Sequence, residues 1–159
     1  MDVYRLCKEI YSTDVLQGHG GPVTAGRWHN QGQRIVYCAS SEALAVLELR
    51  VHLGRYVPRA RYVMHTLDIP EEDIMDLPAE GLANDWNAIP HTAASRAVGD
   101  EWLKSGRSVA LRVPSIHSQS DRNVLLNPEH GKIRRTRVRA RHTYQFDHRL
   151  FEISEPKTP

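Results

Sequence analysis

One stretch, from Gly26 to Glu48, constrains this chain more than any other. It reads Gly-Arg-Trp-His-Asn, then Arg34-Ile-Val-Tyr-Cys-Ala-Ser-Ser, then Ala43-Leu-Ala-Val-Leu-Glu. The order predicts a strand carrying Arg27, a turn at Asn30-Gln-Gly-Gln, a second strand over Ile35 to Cys38, and a helix from Ser41 to Arg50. Leu44, Leu47 and Val51 follow the spacing of a buried helix face. Ser40 or Ser41 can cap the first turn, and Glu42 suits the positive end of the helix dipole. Glu48 lies four residues after Leu44, which turns its carboxylate toward the core boundary. A carboxylate taken from water costs several kcal/mol unless compensated, so it is either paired in a structural ion pair or employed in chemistry. The pattern alone leaves both readings open.

The 159 residues suffice for one compact domain, expected to cover 1–159, and not comfortably for two. A hydrophobic fraction of 40% and a charged fraction of 25% are those of a water-soluble globular protein. No apolar run approaches the ~20 residues that span a bilayer, so no membrane association is expected. Met1-Asp2-Val3-Tyr4-Arg5 lacks the basic-then-apolar order of a signal peptide, which predicts a cytoplasmic location. Cys7 and Cys38 form no Cys-x-x-Cys pair, in keeping with a reducing compartment. The nine histidines show no ligand spacing, and no metal is expected.

In chain order, Val3 to Leu6 reads as a first strand. Gly18-His19-Gly20-Gly21-Pro22 breaks regular structure without matching a dinucleotide or phosphate-loop fingerprint. Tyr62 to Leu67 is a strand by its β-branched and aromatic content. Pro70, Pro78 and Pro90 confine helix to short pieces such as Glu71 to Met75, and Trp86 reads as a packing anchor. Thr92 caps a helix to Lys104 with Ala93, Ala94, Ala97, Val98 and Leu103 inward, ended by Gly106. Ser108 to Val113 and Asn123 to Leu126 are strands, and the last strand is placed at Tyr144 to Phe151. Strands interspersed with a few helices predict a single α+β domain.

Two further features bear on function. Ser115 follows directly on a strand, where a cleft can reach it. Its context, Val113-Pro-Ser-Ile-His, is not the Gly-x-Ser-x-Gly of a nucleophile elbow, so it suits a hydrogen-bond donor or a plain turn serine better than an acyl-transfer nucleophile. The stretch Arg134 to Arg141 would, as a strand, set Arg135, Arg137, Arg139 and Arg141 on one face, a row able to follow a phosphate backbone. A solvated sheet face is the commoner explanation and an acidic protein partner is another, and without a helix-turn-helix or stacking motif direct nucleic-acid binding is not expected.

Taken together, Tyr4-Arg5-Leu6, Gly26-Arg27-Trp28 with Asn30, Val36-Tyr37-Cys38-Ala39-Ser40, Ala43 to Glu48 with His52, Val113-Pro114-Ser115 and Asn127-Pro128 resemble, in order, the RES-domain family. That family is named for its arginine, glutamate and serine, and its best-known members are toxins of bacterial toxin-antitoxin pairs. Ala25 stands where typical members have a glycine, and His29 intervenes before Asn30, which leaves the role of Asn30 open. The resemblance implies a mixed β core with flanking helices like that of ADP-ribosyltransferase toxins. It also implies cleavage of NAD at the nicotinamide-ribose bond by hydrolysis or phosphorolysis, with NAD as substrate and no resident cofactor. Glu48 would stabilise the ribose cation, Arg27 would grip the pyrophosphate, Tyr37 would stack on the nicotinamide and Ser115 would hold its amide; Trp28 and Asn127 join the NAD contacts. A helix-turn-helix antitoxin would cover the site, and a homo-oligomer is compatible. The alternatives are an ADP-ribosyltransferase acting on a protein and a non-catalytic basic interaction module.

Overall fold

The protein is described here by a computed structural model covering residues 1–54, 57–78, 80, 82 and 84–152. Seven strands form one sheet: β1 (Asp2–Lys8), β2 (Val36–Ala39), β3 (Tyr62–Asp68), β4 (Ile74–Asp76), β5 (Ala110–Pro114), β6 (Arg122–Leu126) and β7 (Arg137–Tyr144). Their order is β4-β5-β6-β2-β1-β3-β7, and every neighbouring pair is antiparallel except the parallel β4 and β5. Two helices, α1 (Glu42–Leu53) and α2 (Ala93–Ser105), complete an α+β domain.

Alternation along the strands explains how the layers stack. In β2, Val36 and Cys38 join a core cluster with Val3, Cys7, Leu67, Val124 and Leu126, whereas Ala39 and Tyr37 belong to the clusters packed beneath the helices. Successive side chains of a strand point to opposite faces, so both helices lie on the same face. Leu44 and Ala45 of α1 cover Leu6, Ala39 and Met64, while Trp102 of α2 covers Leu111, Val113 and Leu125 together with Trp28. Because β2 and β6 are neighbours, Tyr37 and Asn123 stand at the seam between the two covered areas.

Both helices begin as expected. The Leu44 amide donates to Ser41 Oγ (3.2 Å) and the Ser95 amide to Thr92 Oγ1 (3.3 Å). Gly106 ends α2 at φ 56°, a left-handed conformation that favours glycine.

The buried faces differ from the expectation. Leu47 and Val51 are 40% and 50% exposed, and Leu44, Ala45 and the half-buried Glu48 form the inward stripe of α1 instead. In α2 Val98 and Leu103 pack inward as expected, but the fully buried residues are Ser95, Gly99 and Trp102, and Ala93, Ala94 and Ala97 are exposed. The cause is at Gly99: a Cβ there would lie 1.7 Å from the Trp28 carbonyl oxygen. The helix approaches that backbone so closely that only glycine fits, and alanines are good helix formers wherever they stand.

Three other expectations change. Arg27 and Trp28 occupy a turn closed by an isolated bridge between Gly26 and His29 rather than a strand. Glu71 to Met75 splits into a short 3-10 turn and β4. The last strand is β7, at Arg137–Tyr144, and a 3-10 turn takes up His148–Phe151.

The arginine row is not formed. Arg135 sits in the 3-10 turn before β7, and its guanidinium pairs with Glu72 and with the buried Asp73 (2.9 Å). A register shift between Thr66 and Leu67 leaves Arg139 without an opposite residue, and Arg139 bonds Asp2 (3.0 Å) and Asp68 (3.2 Å). Arg137 lies opposite Asp68 and Arg141 opposite His65. These partners are three apart on one strand, so Arg137 and Arg141 face opposite sides: an extra residue flips the alternation.

Candidate active site

Glu48 reaches the seam between the helices from α1, with its side chain 24% exposed. One carboxylate oxygen, Oε1, accepts from the Ser115 hydroxyl (2.8 Å) and from the Asn123 side-chain amide (2.6 Å). The other, Oε2, lies 3.7 Å from His117 Nε2. Among the described residues no arginine or lysine pairs with Glu48. Its compensation comes from two neutral donors, which orient the carboxylate without cancelling its charge. This separates Glu48 from a structural ion pair.

Ser115 is almost fully buried, donates to Glu48 and accepts from the His117 amide (3.0 Å). Its one hydroxyl hydrogen is therefore committed to Glu48, and in this arrangement it orients the carboxylate rather than reaching outward to a nicotinamide amide. Asn123 and His117 were not identified as site residues from the sequence. Asn123 carries one signal: it is a polar residue at an inward position of the alternating strand.

Arg27 is placed by a chain of contacts reaching Tyr37. Burial lowers the pKa of His29 below its ordinary value, so the ring is neutral near pH 7. His29 Nε2 faces the Thr24 carbonyl (3.0 Å), which can only accept, so the proton resides on Nε2 and Nδ1 accepts from the Tyr37 hydroxyl (2.8 Å). The Tyr37 oxygen in turn accepts from the Trp28 amide (3.2 Å). Desolvation raises the Tyr37 pKa far above the ordinary phenol range and keeps this donor protonated. Gly26 permits the arrangement, since a Cβ there would lie 2.7 Å from the Tyr37 hydroxyl and from the His29 ring. The residue that interrupts the typical family pattern, His29, is thus a bracing residue of the turn. Asn30 also gains a role: its side chain donates to Asp100 (2.6 Å) and accepts from Arg96 (2.9 Å), tying the turn to α2.

The Arg27 guanidinium donates through Nη1 to the carbonyls of Trp86 (2.6 Å) and Ala88 (3.0 Å). Among the described residues no carboxylate forms a salt bridge with it. Burial lowers its pKa from the usual arginine value, while Glu48 and then Tyr37 oppose that shift electrostatically. A half-buried cation without an anionic partner, near a carboxylate and a mostly buried tyrosine, is suited to an anionic group.

Two expected NAD contacts do not come to this place. Trp28 is 1% exposed and stacks on Trp86, centroids 6.1 Å apart, so its ring is core. Asn127 lies four residues beyond Asn123 along β6, about 13 Å at ~3.3 Å per residue, where it donates to the Leu103 carbonyl (3.2 Å) and accepts from the Glu129 amide (3.0 Å). It closes the turn after the strand.

Residues 2–147 match the family model described as RES domain. The chain belongs to the RES-domain family. Its RES-domain relatives include a protein named Toxin Res from Photorhabdus laumondii, 38% identical over 128 residues and covering 80% of this chain and 82% of that one. Another, named Prs ADP-ribosylating toxin, from a Sphingobium strain, is 35% identical over 144 residues, 88% of this chain and 89% of its own. The fold matches that in the crystal structure of the M. tuberculosis MbcT-MbcA toxin-antitoxin complex, with a TM-score of 0.73 at 19% identity over 90% of this chain and 83% of that one.

The buried histidines of this RES domain give a pH signature. Desolvation lowers the pKa of both His29 and His65, so between the folded and unfolded values the unfolded chain binds more protons. Stability from these groups is full above the unfolded value of about 6.5 and is lost as pH falls. The melting temperature should be flat from pH 8 to 7 and drop from pH 6.5 to 5. A rise on acidification would contradict the neutral, buried state of both rings.

Proposed function

We propose that this chain is the toxin of a toxin-antitoxin pair and that it cleaves NAD at the nicotinamide-ribose bond. The observation that carries the reading is Glu48, a carboxylate fixed by neutral donors and not neutralised by lysine or arginine, with the carboxylate-free Arg27 close by. Departure of nicotinamide with the bonding electron pair leaves an oxocarbenium-like ribose. A pre-oriented negative charge stabilises that cation more than the neutral ground-state sugar. Oε2, free of short hydrogen bonds, is the oxygen for this role and for a ribose hydroxyl. Arg27 has Nε and Nη2 left for the pyrophosphate, and the exposed part of the mostly buried Tyr37 ring offers an apolar wall for the nicotinamide. An acceptor then forms the new bond to the anomeric carbon and gives up its proton to Glu48 or to solvent.

Water or phosphate as acceptor depletes NAD. A protein acceptor is the second reading, favoured by the ADP-ribosylating name of the Sphingobium relative. Incubating the chain with NAD, with and without phosphate and with a cell extract, and identifying the ADP-ribose-bearing product by mass spectrometry distinguishes these acceptors. The partner would be an antitoxin covering the Glu48 seam in the cytoplasm, in line with the MbcT-MbcA complex that shares the fold. No helix among the described residues is long and apolar enough to cross a membrane.

The Arg27 assignment has its own test. Arg27→Lys keeps the charge but loses the planar fork, and an ammonium bonded to the two carbonyls has one N–H left, so it cannot make two parallel bonds to a pyrophosphate. The KM for NAD should rise about tenfold or more. An unchanged KM would remove Arg27 from the substrate site.

A further inference from the structure

We propose that Asn123 is a positioning residue for Glu48, acting with Ser115 to immobilise Oε1 so that Oε2 alone is presented to the substrate. The proposal rests on the catalytic reading of Glu48. Asn123 stands in β6 opposite Ala39 of β2 and Val113 of β5, so strands on both sides fix its backbone. Its side chain is 9% exposed, and Nδ2 donates to Oε1 at 2.6 Å, closer than the Ser115 hydroxyl at 2.8 Å. Two donors from adjacent strands on one oxygen set both the reach and the rotation of the carboxylate, which a single donor on a flexible helical side chain does not. They also divide the two oxygens by function. Oε1 holds the Ser115 and Asn123 donors, and among the described residues Oε2 has only the His117 imidazole at 3.7 Å.

The arrangement predicts redundancy. Ser115→Ala or Asn123→Ala alone leaves one donor and should lower kcat about tenfold, while the double variant should lose far more than the product of the two, because Glu48 is then free to rotate. KM for NAD should change little in the single variants, since neither group faces the ligand.

The discriminating variant is Asn123→Asp. It is nearly isosteric, yet it sets a second carboxyl within hydrogen-bond distance of Glu48, and two such groups cannot both ionise easily. Among the described residues, the charged or titratable groups around Glu48 include Arg27, Tyr37 and His117, His52 on the Glu48 backbone carbonyl (2.7 Å), and His91, which interacts electrostatically with Arg27 and His52; the substitution changes none of them. The acid limb of the kcat profile should move to higher pH by about one unit or more, with activity partly recovered at alkaline pH and a circular dichroism spectrum like that of the parent. Asn123→Gln, which keeps the donor but shifts its reach, should lose kcat without moving the limb. A merely structural Asn123 would lower the melting temperature and leave the limb where it was. If Glu48→Gln is inactive and Asn123→Asp keeps the parental pH profile, the positioning role is wrong and the catalytic reading stands. If Glu48→Gln is fully active, the catalytic reading itself is gone.

Discussion

Glu48→Gln should fold normally and cleave NAD at least about a hundredfold more slowly than the parent, the range seen when one charge-stabilising group is removed from an active site. Glutamine fills the same volume, and its carbonyl oxygen still accepts from Ser115 and Asn123. The variant therefore loses the negative charge and little else. Had Glu48 been half of a buried ion pair, neutralising it would strand a cation at roughly 3 to 5 kcal/mol. Its donors here are neutral, so the melting temperature should move by no more than a few degrees. A large fall in melting temperature with the activity loss would show that the carboxylate is architectural.

The second large effect concerns stability. Gly99→Ala would place a Cβ 1.7 Å from the Trp28 carbonyl oxygen, and a backbone atom cannot swing aside as a side chain can. Either α2 or the Trp28 turn must move by more than an ångström. Overpacking of this kind costs about 1 to 3 kcal/mol and sometimes more, and the displacement also pulls at the Asn30 to Asp100 bonds and at Arg27 behind them. The expected result is a melting point lower by roughly 2 to 12 °C together with weaker NAD cleavage. Gly106→Ala, where a Cβ meets nothing within 4 Å, provides the control. It should cost only the left-handed backbone strain, about 1 kcal/mol.

How much of this was legible in the sequence depended on whether the controlling contact was local. The α1 cap at Ser41 and the inward direction of Glu48 follow from residues within two turns of each other, and both could be read. The inward face of α2 could be read only in part: Val98 and Leu103 pack inward as expected, whereas Gly99 is selected by a carbonyl some seventy positions away. The residues that looked apolar enough to be buried, Ala93, Ala94 and Ala97, are surface positions on a good helix former. The arginine row failed for a related reason: strand periodicity assumes an unbroken alternation, and the register shift opposite Thr66 and Leu67 is a property of the pairing. Of the candidate site residues read from the sequence, Ser115 bonds Glu48 directly, His29 braces Tyr37, and the Trp86 and Ala88 carbonyls hold Arg27. Asn123 and the bracing role of His29 are not legible in the sequence, because a single buried amide or imidazole acquires meaning only when its partner is known. Trp28 illustrates the converse. The family resemblance implied a ligand contact, whereas the turn directs its ring into the core.

The central claim, that Glu48 sits where the nicotinamide-ribose bond is broken, is tested most directly by release of free nicotinamide from NAD by the purified chain and by Glu48→Gln at matched concentration. The account predicts steady nicotinamide release by the parent, with ADP-ribose or an ADP-ribosylated acceptor as co-product, and near-baseline release by a variant that melts within a few degrees of it. Equal release by a folded Glu48→Gln, or an NAD pool left unchanged by the parent at any concentration, would contradict it.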